Sequence, residues 1–322
     1  VTSWRDWSTV NGHDIDYTGA DILYRPPNGE YGYELSNLTQ ELRLAGTTDR
    51  FDWLVGGFAT LENIGRDDTY YLGADYNPFL SLLLTSSLLG CFSGNYALVP
   101  AAARANYMLG CVAGSPLAPP LPGAPLNVVG QGVVDHYSQR SESFALFTNN
   151  TWRVTDQFDV TLGLRYTVDR KRLLGLQDNV NGNGTSCAAV LANQATIAAA
   201  FGAAASALIG PQCLPWNNVL YDNRAIAEEH DDSDLSGTIK AAYRFNDSVM
   251  TYASFARGYK GFGYNMDRVQ TGITPDASLY FPAETVDSYE FGVKTTLLDR
   301  TLLLNATYFH QTFENFQLNT FL

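Results

Sequence analysis

Positive charge is scarce in this chain: 20 Lys and Arg stand against 33 Asp and Glu among 322 residues, a formal net charge of −13. Nucleic-acid binding relies on clustered Lys and Arg that release counterions, so this balance excludes a phosphate-backbone partner. Methionine is limited to 3 residues and histidine to 4. His13, His136, His230 and His310 show no His-His or His-Cys spacing that suits a metal, and no cofactor is expected. Long hydrophobic runs are missing too. The least polar stretches, 79–92 and 195–210, are broken by Ser, Thr or Gly and fall short of the roughly 20 apolar residues that a helical membrane span needs.

Cysteine is sparse and local. Cys91 with Cys111 and Cys187 with Cys213 each sit in an irregular stretch, which suggests two loop disulfides and an oxidising compartment; four reduced, buried thiols are the alternative. Each closed loop would gain at most ~3 kcal/mol in the chain-entropy model. Catalytic patterns are also lacking. The acidic run Glu228, Glu229, Asp231, Asp232 and Asp234 has no calcium-loop pattern and reads as a solvated strand end. Gly258, Gly261 and Gly263 follow a strand with no helix behind them, which fits a strand-tip bend and not a phosphate cradle. No nucleophile elbow is present, so an enzyme is not expected.

What the chain does have is aromatic and alternating sequence. Tyr and Phe number 19 and 17, and 45% of residues are hydrophobic. Along 158–169, Phe158, Val160, Leu162, Leu164, Tyr166 and Val168 point one way while Asp159, Thr161, Gly163, Arg165, Thr167 and Asp169 point the other. The same period of two runs through 235–244 and 288–297, and Leu38, Leu42 and Leu44 oppose Asn37, Thr39, Glu41 and Arg43. One face of each strand is oily and the other is wet. Lipid outside and a polar lumen inside would produce this pattern, and so would a soluble sandwich.

The connections separate the two. Short links of Asp, Asn, Thr and Ser at 47–50, 155–157, 246–248 and 299–300 alternate with long segments at 11–34, 65–137, 173–231 and 263–284. Structureless segments of that length argue against a compact soluble domain. Tight periplasmic turns on one rim and long extracellular loops on the other are the habit of outer-membrane barrels. A short helix is expected in 195–208 and a Pro-rich strap in 115–125.

The predicted fold is therefore all-β, an antiparallel transmembrane β-barrel. About nine strands are expected, near 1–9, 36–46, 51–63, 139–153, 158–172, 232–244, 249–262, 285–297 and 301–314, with a tenth starting near Gln317. Single-chain bacterial barrels have an even strand number, so 1–322 is expected to be one part of a larger barrel. No basic segment followed by an apolar one stands near Val1, and the chain is expected to be processed or a fragment. A passive porin, or a secreted β-rich binding protein that needs no membrane, would be the competing readings.

Several stretches resemble strands of TonB-dependent receptors: SNLTQELRL at 36–44 with FDWLVGGF at 51–58, FDVTLGLRYTVD at 158–169, VMTYASFARGYKGF at 249–262, ETVDSYEFGVKT at 284–295 and LLLNATYF at 302–309. The resemblance covers nearly all the predicted strands, in family order. It implies a 22-stranded barrel in the cell outer membrane, in contact with lipid and lipopolysaccharide, with its lumen filled by the receptor's own plug domain. It implies binding of a scarce nutrient (a siderophore, a vitamin, or a saccharide or aromatic ligand) and import powered through the TonB complex. Neither a plug, a TonB box, nor the family's aromatic-terminated last strand is visible in the sequence.

On this reading Glu41, Arg43, Arg165, Lys240, Arg244, Arg257, Glu290 and Lys294 face the lumen and would meet a polar plug. Trp53, Trp152, Tyr166, Tyr243 and Tyr252 are candidates for the interfacial girdles. Tyr70, Tyr71, Tyr76, Tyr96, Tyr107, Tyr264 and Tyr280, with Phe92, are candidate ligand contacts on the loops; their alternative role is packing one loop against another.

Overall fold

The structure, a computed structural model, describes residues 1–76, 79 and 127–318. Its strands are β1 (Thr2–Val10), β2 (His13–Asp14), β3 (Leu23–Arg25), β4 (Tyr31–Thr47), β5 (Phe51–Leu72), β6 (Gly132–Arg153), β7 (Phe158–Val180), β8 (Arg224–Asn246), β9 (Val249–Lys260), β10 (Gly263–Tyr264), β11 (Gln270–Thr271), β12 (Thr274–Pro275), β13 (Tyr280–Phe281), β14 (Glu284–Leu297) and β15 (Leu302–Glu314). Three helices, α1 (Thr185–Ala192), α2 (Gln194–Phe201) and α3 (Ala205–Ile209), lie between β7 and β8. No described helix is long and apolar enough to cross a membrane.

Nine long strands form one antiparallel sheet in the order β1-β4-β5-β6-β7-β8-β9-β14-β15, each hydrogen-bonded to the next along the chain. Their links alternate. Residues 48–50, 154–157, 247–248 and 298–301 turn tightly on one rim, whereas 11–30, 73–131, 181–223 and 261–283 are long connections on the other. In the first turn Thr48 receives the Phe51 N–H on its hydroxyl, and in the second Thr155 caps Gln157 and Phe158 in the same way. These side chains satisfy turn donors that no strand can reach.

Register shows which face is oily. Leu162, Leu164, Tyr166 and Val168 pair across to Ile239, Gly237, Leu235 and Ser233 on one side and to Asn150, Thr148, Leu146 and Phe144 on the other. All of these lie on one face of the sheet, and its large apolar members are open: Leu164 is 41% exposed, Ile239 50% and Phe291 54%. From Phe158 to Val168 the strand runs about 33 Å at about 3.3 Å per residue. Tilted by about 45°, it spans about 23 Å in height, close to the apolar band of about 25 Å on a membrane barrel. Trp152 and Tyr243 close this band at the tight-turn rim, with Phe158 and Phe245 beside Tyr243. Tyr252 is not in the girdle. It pairs with Gly292 and Ala242 on the opposite face, where its ring covers Gly292.

Above Val168 charges enter the outer face, where Leu174 and Leu176 also stand exposed, and apolar residues enter the inner one. Arg170, Arg172, Asp231 and Glu229 now point outward, while Leu173, Val133, Tyr137 and Ile226 point inward and are buried. This is why β5–β8 outrun the strands expected from sequence, reaching Leu72, Gly132, Val180 and Arg224. Unbroken apolar-out alternation ends at Val168, but ladder hydrogen bonds do not depend on which face is apolar.

Both hydrophobic cores lie in this upper half. One gathers Leu23, Tyr70, Leu72, Tyr76 and Val133 under Cys187, Ile197, Ala205, Ile209 and Cys213; the other gathers Tyr137, Leu173 and Ile226 under Phe262, Tyr264 and Leu279. Cys187 and Cys213 form a disulfide across the helical segment. Cys91 and Cys111 lie outside the described residues, as does the strap at 115–125. The helix expected within 195–208 is split into two short ones, α2 and α3, with α1 just before them. Residues 315–318 are not in a strand, with Asn315 leaving β15 at φ 52° and the Gln317 N–H binding the Glu284 carboxylate at 2.7 Å, and the rest of the tenth strand expected from near Gln317 lies outside the described residues.

Candidate functional site

The connections 181–223 and 261–283 fold onto the inner face of the sheet, the face opposite the apolar band. Residues 262–279 are strapped across four strands. Arg66 of β5 donates to the Met266 carbonyl, Gln177 of β7 donates to Asp267 O at 3.2 Å, and Arg224 of β8 donates to Asp276 O. Glu228 of β8 accepts from the Ser278 hydroxyl at 2.6 Å and the Leu279 N–H at 2.8 Å.

At the centre stands Arg268, whose side chain is 1% exposed, against Asp135 at 2%. Its Nε and one Nη donate to the two Asp135 oxygens at 2.8 and 2.9 Å, and the remaining N–H groups reach Asp178 O, Asn179 Oδ1 and Pro215 O at 2.7, 2.9 and 3.1 Å. Five donors meet five acceptors drawn from β6, β7 and the helical segment, which is the satisfaction a buried guanidinium requires. The Tyr221 ring lies 4.7 Å from the guanidinium carbon. Burial pushes the Asp135 carboxyl above its ordinary range, although Arg268 pulls it back. Beside this knot, Asp68 (3% exposed) accepts from both Arg25 and Arg66.

The tyrosines singled out in the sequence are dispersed. Tyr70 is buried under Arg25, Tyr76 takes the Trp216 indole N–H at 3.0 Å, and Tyr71 donates to Glu30 at 3.1 Å on the outer face. Tyr264 and Tyr280 do come together. His230 stacks on Tyr280 at 4.4 Å and shares a 2.9 Å hydrogen bond with Tyr264, while Phe262 closes the group and carries Lys171 at 5.2 Å. Of the tyrosines, Tyr280 alone is open, at 37%. Tyr96, Tyr107 and Phe92 lie outside the described residues.

Lower on the inner face, Glu41 and Arg43 ion-pair at 2.7 Å, and Arg165 lies over Phe58 and Phe147 at 5.2 and 5.7 Å. Lys240 and Lys294 flank the Tyr252 ring at 5.1 and 5.5 Å, and its hydroxyl binds Glu290. Arg244 pairs with Asp159 beside a polar recess of about 640 Å³ that Arg50 and Arg153 also line. Arg257 departs from expectation. Pairing with Gly237 and Asp287 places it on the outer face with Phe255, and it ion-pairs there with Asp287 at 3.5 Å. Parity counted along β9 alone was blind to the partner register that decides this.

Residues 2–322 match the family model described as "TonB dependent receptor-like, beta-barrel". The chain belongs to the TonB-dependent receptor family. A pesticin receptor of Yersinia enterocolitica is 25% identical over 173 residues, 53% of this chain and 19% of the relative. The ferric yersiniabactin uptake receptor FyuA of Yersinia pestis shares the fold at TM-score 0.57 and 16% identity, over 99% of this chain and 33% of that one. The siderophore receptor PiuA of Acinetobacter baumannii aligns over 96% of this chain and 36% of that one, with 13% identity and TM-score 0.45. The chain thus spans about a fifth of the curated relative and a third of the FyuA chain. Membership in this family makes the open apolar band the lipid-facing wall of an outer-membrane barrel. TonB-dependent receptors are receptors and transporters, not enzymes.

The buried Arg268–Asp135 knot escaped sequence reasoning. The two residues are 133 positions apart and neither lies in a motif.

Proposed function

We propose that this wall belongs to an importer of a scarce nutrient, energised through TonB and stoppered by a plug domain against the polar inner face. A ferric siderophore is the first cargo to test, because the relatives named above include a ferric yersiniabactin uptake receptor and a siderophore receptor. The supporting observation is the inward fold of the long connections. Residues 183–222 and 262–279 pack on the inner face of the wall at its long-loop end, with Arg268 sealed beneath. Chain packed against the inner face in this way favours gated uptake over the free diffusion of a passive porin. Arg43, Arg165, Lys240, Arg244, Glu290 and Lys294 would meet the plug, and Tyr280 is the best placed of the loop tyrosines to meet a ligand.

The test is uptake of labelled ferric siderophores, cobalamin and oligosaccharides by cells with and without the full-length gene, in backgrounds with and without TonB. Uptake of one cargo that requires both genes is expected. Uptake unchanged by loss of TonB, or open-channel conductance from the purified receptor, would refute the proposal in favour of a porin.

A further inference from the structure

The Cys187–Cys213 disulfide is covered by chain from three other parts of the molecule, and both cysteines are 0% exposed. The wall supplies an apolar floor, Leu23 of β3, Tyr70 and Leu72 of β5 and Val133 of β6. Ser186, beside Cys187, donates to Asn127 Oδ1 at 3.2 Å and receives the Asn217 amide at 2.7 Å. The 262–279 strap closes the other end. Gln270 donates to the Cys213 carbonyl at 2.9 Å, and Asn218 donates to Gln270 Oε1 and Ile273 O at 3.0 and 2.7 Å. Ser186, Asn217 and Asn218 are as fully buried as the cysteines.

Making a disulfide needs more room than keeping one. One protein thiolate attacks the disulfide of an oxidising partner and expels one of its sulfurs as thiolate; the second protein thiolate then attacks the mixed disulfide and releases the partner as a dithiol. The cysteine pair gives up its two thiol protons and two electrons, and the partner's disulfide takes them up. A foreign sulfur must therefore touch Sγ of Cys187 or Cys213, and the docked chain leaves it no approach. The two cysteines need no docking to meet each other. Their sequence separation is 26, and α1 packs against α3 within the same segment, so the closing loop is short and local. Location adds a second constraint. The bacterial periplasm is an oxidising compartment, whereas the long connections of an inserted barrel stand on its extracellular rim, across the membrane from it.

We propose that Cys187 and Cys213 are oxidised by a disulfide-bearing oxidase of the periplasm before the wall assembles, and that docking of residues 183–222 then shields the bond from further thiol exchange. The oxidised segment is the form that the wall and the 262–279 strap receive. The bond is thus a product of maturation, not a switch that thiols outside the cell can throw. This order holds whatever the cargo.

Pulse-labelling of cells that make the full-length receptor tests the order. At each time free thiols are alkylated, heat-modifiable gel mobility separates assembled from unassembled receptor, and peptides carrying Cys187 and Cys213 are followed by mass spectrometry. The bond is expected in chains that are still unassembled. Assembled receptor whose pair is first reduced and later oxidised would overturn the proposal. Leu72→Asn with Val133→Asn separates oxidation from docking by removing the apolar floor. This variant should oxidise the pair to the wild-type extent, yet a water-soluble phosphine should reduce it faster, by tenfold for about every 1.4 kcal/mol of docking lost. A pair that stays reduced in the variant would show that docking templates the bond, and equal reduction rates in the two receptors would show that docking does not shield it; either result overturns the proposal. The wild-type time course decides the order even where the variant does not assemble.

Discussion

Replacing Arg268 by methionine removes five buried donors while leaving Asp135 in place. The carboxylate keeps the Asp178 N–H at 3.1 Å and a weak contact from the Tyr137 hydroxyl at 3.4 Å, and loses both guanidinium bonds. Breaking one side of a buried pair costs about 3–5 kcal/mol. If that cost falls on docking of residues 262–279, the open state becomes roughly a hundred- to several-thousand-fold more populated. Amide hydrogen exchange of the full-length receptor reads this directly, as faster exchange at 263–283 with β7 and β8 below Val168 and Leu235 unchanged.

The loss carries a pH signature. Burial already raises the Asp135 carboxyl, and without Arg268 nothing opposes that rise except the two residual contacts. The closed state of the variant then binds a proton that the open state, at an ordinary carboxyl pKa of about 3.9, gives up. The penalty is absent below the open-state pKa and grows as pH rises through the higher closed-state value, so protection in Arg268→Met should improve on acidification. Adding Asp135→Leu should recover part of the protection at neutral pH, because an apolar pair leaves no orphan charge. Wild-type protection in Arg268→Met would refute the assignment of this pair as the anchor of the segment.

Three further outcomes are expected. Leu164→Arg places a charge on the lipid face near mid-band and should cost about 2–4 kcal/mol of barrel stability, whereas Ser143→Arg, inward and directly across from Asp169, should be tolerated; urea unfolding followed by gel mobility compares them. Cys187→Ala with Cys213→Ala opens a loop of sequence separation 26 and should cost the helical segment about 3 kcal/mol, seen as faster proteolysis within 185–213 while the wall stays intact. Gly292→Ala would place a Cβ 2.3 Å from the Tyr252 ring, forcing it from between Lys240 and Lys294; a loss of about 1–3 kcal/mol in the unfolding midpoint is expected, and no change would show that the ring has room to move.

Much of the wall was legible before any coordinates. Phe158 to Val168 alternate without a break, and the turns carry the Thr, Asp and Asn residues that satisfy their own backbones, so strand positions and rim asymmetry follow from local chemistry. Strand ends were less visible. Beyond Val168 apolar residues stand on both faces, and Leu173 and Tyr137 looked like loop residues because their partners, Phe262 and Tyr264, come from a distant connection. The candidate loop contacts suffered for the same reason: whether a tyrosine packs or faces outward depends on what lies over it, and Tyr70 and Tyr280 cannot be told apart by their neighbours in sequence.

Periodicity and turn chemistry alone determined an antiparallel wall with an oily side and a wet side, because both are set by residues within a few positions of one another. Which basic residues face outward, where the cores lie and how Arg268 finds Asp135 were decided only by tertiary structure. Those outcomes depend on strand register and on contacts between segments a hundred or more residues apart, which no local pattern encodes.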